Sequence, residues 1–151
     1  NNEAVADIYI KSSKYLKAVK CNADINSRAI DEFPLIFLMC SKAKGISSFN
    51  KIGELRHKES DRLKVCSKFL KKIGIKVDEK GDSLKIYGNP NLTMEKKYII
   101  NNFMKAHRIF MMSCVAALFL GGEWKINDKE SIKTSFPNFI WTLKKLGAKI
   151  K

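Results

Sequence analysis

The chain has 151 residues, 45% apolar and 29% charged, which suits about one domain or two small ones and excludes a wholly disordered chain. Lysine and arginine outnumber aspartate and glutamate by 29 to 15, a net charge of +14, so an anionic ligand or a nucleic acid comes first to mind as partner. The plainer source of that charge is a lysine-rich surface, because all but four of the cations are lysines, scattered singly and in pairs.

In chain order, the opening Asn1-Asn2-Glu3-Ala4 carries no initiating Met and no basic-then-apolar leader. It reads as a start within a longer protein, and no targeting signal is identified. A strand is expected at residues 6–10. Residues 33–40 are apolar all round, as in a buried helix, with Pro34 in the first turn where a missing N–H does no harm. Gly45 and a β-like stretch at 46–49 follow. Leu63, Cys66, Leu70 and Ile73 then trace one face of an amphipathic helix that ends at Gly74, with a short strand after it. Strands are expected again at 84–87 and 98–100. A second all-apolar helix covers 109–120, too short to cross a bilayer, which needs about 20 residues. Gly121-Gly122 and a strand at 123–126 come next. Phe136, Ile140, Leu143 and Leu146 outline a last amphipathic helix closed by Gly147, with another short strand after that glycine.

The elements repeat. Phe69-Leu70-Lys71-Lys72-Ile73-Gly74-Ile75-Lys76-Val77 and Thr142-Leu143-Lys144-Lys145-Leu146-Gly147-Ala148-Lys149-Ile150 read almost alike, and the order strand, buried helix, strand, amphipathic helix, strand precedes or contains both. An α/β chain of two tandem subdomains, residues 1–80 and 81–151, is expected. Cys21, Cys40, Cys66 and Cys114 form no CxxC pair and two lie in apolar runs, which argues against a zinc site or disulfide framework and for a reduced, cytoplasmic protein.

The chemically interesting residues gather at helix starts: Asp31-Glu32, Lys58-Glu59-Ser60-Asp61-Arg62, His107-Arg108 and Lys133-Thr134-Ser135. Helix N-termini with free N–H groups and added cations suit a phosphate or carboxylate ligand. Taken singly, Asp31, Ser60, Asp61, Thr134 and Ser135 would serve as helix caps, Lys58 and Glu59 as a solvated pair, and His107 as a structural histidine. Arg62 and Arg108 stand out, since arginine binds such anions bidentately where lysine cannot.

Asp31-Glu32-Phe33-Pro34, Glu54-Leu55-Arg56-His57-Lys58-Glu59-Ser60-Asp61-Arg62, His107-Arg108-Ile109, Thr134-Ser135-Phe136-Pro137 and the closing Leu146-Gly147-Ala148-Lys149-Ile150 occur in the order and spacing of the 5-enolpyruvylshikimate-3-phosphate synthase family. The chain resembles the C-terminal part of such an enzyme. The resemblance implies an α/β (α+β) fold of tandem βαβαββ subdomains, forming part of one lobe of a two-lobed enolpyruvyl transferase. It implies transfer of the enolpyruvyl group of phosphoenolpyruvate to the 5-hydroxyl of shikimate 3-phosphate with release of phosphate, a shikimate-pathway reaction that uses no metal or organic cofactor. Asp31 would orient and deprotonate the attacking hydroxyl, and Glu59 would protonate and then deprotonate the methylene carbon. Lys58 would contact shikimate 3-phosphate, Arg62 and Arg108 would clamp phosphoenolpyruvate, His107 would line the site, and Lys133 is a further candidate for substrate binding. Partners are then the two substrates and an N-terminal lobe outside this chain. No nucleic acid and no membrane is expected, and the complete protein would be a monomer.

The chain departs from the family pattern at Ala106, where Asp usually precedes His-Arg, and at His57, where a small aliphatic residue is usual. With the opposite lobe outside the 151 residues, the chain alone is expected to be inactive, because closure of two lobes assembles such a site. An apolar face or sheet edge left uncovered would make it poorly soluble. A UDP-N-acetylglucosamine enolpyruvyl transferase relative, an inactive fragment and a basic nucleic-acid-binding module are the competing readings.

Overall fold

The computed structural model describes residues 5–100 and 106–151; the opening Asn1-Asn2-Glu3-Ala4 lies outside the described residues. The order is β1 (Leu16–Lys17), α1 (Phe33–Ser41), β2 (Ala43–Phe49), α2 (Arg62–Lys72), β3 (Lys76–Lys80), β4 (Ser83–Gly88), β5 (Lys97–Ile100), α3 (His107–Leu120), β6 (Glu123–Ile126) and α4 (Phe139–Lys145), with 3-10 turns at Ala23–Ile25, Gly53–His57 and Lys129–Ile132. The fold is mixed α/β, with sheets ordered β1-β2-β4-β3 and β5-β6.

Both buried helices form as expected. Phe33 stacks on Phe37 at 5.4 Å and both meet Phe49 edge-on at 5.9 and 4.9 Å, and Ile109, Phe110 and Met112 of α3 join the same core. Neither helix is covered all round, however. Leu35 and Met39 of α1 and Leu118 and Phe119 of α3 face outward. Among the described residues, no helix is long and apolar enough to cross a membrane. All four cysteines are free, three of them buried.

Two helix ends repeat bond for bond. After α2, the Gly74 N–H donates to Lys71 and the Ile75 N–H to Leu70; after α4, Gly147 donates to Lys144 and Ala148 to Leu143. This is the Schellman pattern, which needs a left-handed residue after the helix, and Gly74 and Gly147 have φ of 84° and 95°.

Two expectations are corrected, and one strand forms where expected but pairs in the first sheet. Residues 6–10 are irregular and exposed, and the strand that does form is the two-residue β1, parallel to β2. A strand needs a neighbour for its backbone groups, and none is hydrogen-bonded to 6–10 among the described residues. The stretch at 84–87, expected ahead of the second buried helix, lies in β4, antiparallel to both β2 and β3 and therefore in the first sheet. Residues 148–151 form no strand after Gly147.

The last helix also starts later than expected. Residues 132–136 turn rather than wind, with Ser135 and Phe136 both donating to Ile132, and α4 begins at Phe139 after Asn138. Pro137 disfavours helical geometry at the residue before it, which breaks the run.

Candidate functional site

Three helix starts meet where α1, α2 and α3 pack against one another. Asp31 lies two residues before α1, which Glu32 precedes without a side-chain cap. Lys58 and Glu59 occupy the link between the 3-10 turn at Gly53–His57 and α2, whose N-terminus is capped by Asp61 accepting from the Lys64 N–H at 2.9 Å. Asp61 is therefore a cap, whereas Asp31 is not. His107 and Arg108 open α3 after Ala106, which offers no side-chain cap.

Arg62 organises the cluster from below. Only 3% of its side chain is exposed. Its Nη1 donates to Asp31 Oδ1 at 2.9 Å and to the Ile30 carbonyl at 3.2 Å, and its Nη2 donates to both Glu59 oxygens at 3.1 Å. Arg108 Nη2 meets the other Asp31 oxygen, Oδ2, at 2.6 Å. His107 Nδ1 lies 3.9 Å from Glu59 Oε1. Six of the seven residues singled out by sequence thus fall in or beside one network, with Lys58 at its edge, held by Glu54 at 2.8 Å.

The electrostatics follow from this geometry. Burial pushes the Asp31 carboxyl up, but the hydrogen bond from Arg62 and the charges of Arg108, Arg62 and Lys58 outweigh it and leave the group below the usual aspartate range. Burial likewise raises Glu59, and its own backbone N–H, Arg62 and His107 bring it below its ordinary value. Both carboxylates are ionised at neutral pH. An incoming anion that drew a guanidinium away would release them toward higher pKa, the change an acid needs. Among the described residues, no group of three His, Cys, Asp or Glu side chains is placed to hold a metal ion.

Lys133 stands outside this network. It follows the 3-10 turn at Lys129–Ile132, is exposed, and pairs with Glu130. Arg28 is exposed as well. Arg56 turns out to be a tether: it bonds Asp61 at 3.0 Å, Glu79 at 2.7 Å and the Gly81 carbonyl at 2.6 Å, tying the Glu59 segment to the β3–β4 turn. Sequence could have paired Lys58 with Glu54, four residues earlier on a helical turn. The Arg56 tether and the Ile30 carbonyl beneath Arg62 join residues distant along the chain and leave no local signal.

Residues 1–143 match the family model described as EPSP synthase (3-phosphoshikimate 1-carboxyvinyltransferase). The chain is 39% identical over 151 residues to the 3-phosphoshikimate 1-carboxyvinyltransferase of Zymomonas mobilis, covering 99% of this chain and 33% of that protein. It is 37% identical over 144 residues to the enzyme of that name from Thermodesulfovibrio yellowstonii, covering 95% and 33%. A solved structure of EPSP synthase from Acinetobacter baumannii superposes with a TM-score of 0.76 at 28% identity, over 91% of this chain and 32% of that one. The chain spans about a third of the length of the curated relatives it matches.

Proposed function

The chain belongs to the EPSP synthase family, and from that membership we propose that it supplies one side of a site that moves the enolpyruvyl group of phosphoenolpyruvate to the 5-hydroxyl of shikimate 3-phosphate. The carrying observation is one buried guanidinium, Arg62, holding Asp31 and Glu59 at 2.9 and 3.1 Å beside Arg108 and His107.

In this reading Asp31 takes the proton of the attacking hydroxyl as its oxygen bonds to C2 of phosphoenolpyruvate. Glu59, protonated once substrate anions engage the guanidinium groups, gives its proton to the methylene carbon. The C2–O bond to phosphate then breaks, Glu59 recovers the proton, and the double bond returns in the product. Two carboxylates in different surroundings can divide such work. Arg108, less buried than Arg62, is the more available clamp for the carboxylate or phosphate of phosphoenolpyruvate. Lys58 adds a charge for shikimate 3-phosphate. Helix starts and cations together offset the charge of two anionic substrates. Lys133 reaches such a ligand only by leaving Glu130.

The rest of the site comes, in this proposal, from the two thirds of the family's length that this chain does not span, with the complete protein acting as a monomer. The two tandem subdomains, residues 1–80 and 81–151, form part of one lobe in this reading, with β4 pairing in the sheet of the first. Four free cysteines suit a reducing, cytoplasmic setting.

The test is phosphate release from the two substrates by this chain reconstituted with the complementary two thirds of the Zymomonas mobilis relative. Release is expected only with both parts, and Glu59→Gln should lower it about 10²- to 10⁴-fold. Release indifferent to Glu59→Gln, or none from a folded complex, would overturn the reading.

A further inference from the structure

Asp31 and Glu59 stand on two separate stretches of chain, residues 22–32 ahead of α1 and residues 50–62 between β2 and the first turn of α2. Among the described residues, two side chains hydrogen-bond from one stretch to the other. One is Arg62, which reaches back to Asp31 and the Ile30 carbonyl. The other is Asn26, which no local sequence signal singles out. Its side-chain amide donates to the Asn50 carbonyl and to the Lys51 carbonyl, both at 2.9 Å. Asn26 is 8% exposed, and its own carbonyl oxygen faces the Cys21 thiol at 3.9 Å. Two carbonyl acceptors fix which way the amide points, because only its nitrogen end can serve both.

Each end of this tie continues stiffly toward a carboxylate. From Asn26 to Asp31 the chain runs in hydrogen-bonded turns, the Ala29 N–H donating to Ile25 and the Glu32 N–H to Ala29. From Lys51 toward Glu59, Ile52 and Leu55 are fully buried, and the Ile52 N–H donates to the Asp82 carbonyl at 2.9 Å. Lys51 itself has φ of 56°, a left-handed backbone that a lysine keeps only where its surroundings hold it.

The two ties respond differently to a substrate. A phosphate or carboxylate that engages Arg62 competes with Asp31 and Glu59 for the same N–H groups. Asn26 is neutral and spends both donors on backbone carbonyls, so an incoming anion leaves it in place. We propose that Asn26 is a positioning residue, which keeps the Asp31 and Glu59 stretches in register while substrate anions draw Arg62 away from them. Its part in catalysis rests on the transfer reading above; the double tie does not.

A double-mutant cycle on the 151-residue chain tests the tie without any reaction. Asn26→Leu keeps the side chain's size and removes both donors, and Arg62→Leu stands for a guanidinium drawn away. The readout is amide exchange at Ala29, Glu32, Ile52 and Leu55. Each tie covers for the other, so the double variant should exchange about tenfold faster than the product of the two single effects. Exchange within about twofold of that product would overturn the proposal. Asn26→Ser, which keeps one donor, gives the same cycle in milder form where the leucine variant does not fold.

The second measurement is phosphate release by the complex with the complementary two thirds of the Zymomonas mobilis relative. Asn26→Leu should lower kcat about 10- to 100-fold and leave KM for both substrates within about twofold. Asn26→Gln, still a double donor, should recover most of that loss. Leu143→Ala, a buried position in α4, controls for lost stability and should leave kcat unchanged. A raised KM with unchanged kcat, or an equal loss in the glutamine variant, would overturn the proposal. A complex that releases no phosphate even with Asn26 in place would sink the transfer reading instead, and the exchange cycle would still decide the tie.

Discussion

Asp31 and Glu59 share one guanidinium: each accepts from Arg62, the first from Nη1 and the second from Nη2. The two carboxylates assigned to proton transfer are thereby fixed relative to each other by a group from beneath, with Arg108 gripping Asp31 from a second direction.

Replacing Arg62 by leucine should leave two facing carboxylates without their common partner. Removing one member of a buried ion pair costs about 3–5 kcal/mol. Asp31 and Glu59 are each 41% exposed and can recover water, which reduces the expected loss to roughly 1–3 kcal/mol. Urea unfolding measures the loss, and carboxylate titration by NMR should show both groups moving to higher pKa. Arg62→Lys should hold one carboxylate and lose the other.

Both carboxylates are held below their ordinary values of about 3.9 and 4.3. Their contribution to stability is fully present above those values and is lost as pH falls through the lower folded ones. Unfolding free energy should therefore be level in this respect above about pH 5.5 and decline below about pH 4.5. Asp31→Asn should be less stable near neutrality and show a shallower acid decline. A decline equally steep in the variant would remove Arg62 and Arg108 as the cause.

Gly88 should tolerate no side chain. A Cβ there would stand 2.1 Å from the Ala43 carbonyl oxygen and 2.5 Å from that of Cys40, both backbone atoms where α1 hands over to β2. Gly88→Ala should cost about 3 kcal/mol or more. Gly81→Ala, at φ 54° with open space around it, should cost about 1 kcal/mol. Parallel denaturation curves settle the difference.

Thiol labelling should be selective. Burial pushes Cys66 and Cys114 up to about 12 and raises Cys40 and Cys21 as well, so thiolate is scarce throughout. Cys21 alone is not buried. Iodoacetamide at pH 8 should modify the native chain slowly and at Cys21 alone, and all four cysteines in urea, as read by mass spectrometry.

Three helix starts and two helix ends were legible in sequence because their signals are local, such as Pro34 in a first turn, Asp61 three residues before the N–H it caps and glycine at two helix ends. The candidate site was legible for the same reason, since five of its six clustered residues sit at or just before such starts. The start of α4 was expected too early, because Pro137 breaks the run. What escaped depends on neighbours. Residues 6–10 carry a strand pattern but pair with no edge among the described residues. Leu146 and Ile73 obey one periodicity, and only their surroundings decide that one is core and the other is not. Arg62 was readable as an anion binder; that its anions here are the protein's own carboxylates is a tertiary fact.

The Arg56 tether has a bearing on drift among relatives. Because one guanidinium joins Asp61 to Glu79 and the Gly81 carbonyl, the loop bearing Lys58 and Glu59 is anchored at a β-turn outside the Arg62 network. Loss of Glu79 would leave Arg56 held by the Gly81 carbonyl and Asp61 and loosen that loop, and the cost would appear as ordering entropy at the proposed binding step. Surface substitutions in the β3–β4 turn should therefore accumulate more slowly than their exposure suggests, since selection on the proposed reaction would reach them through Arg56.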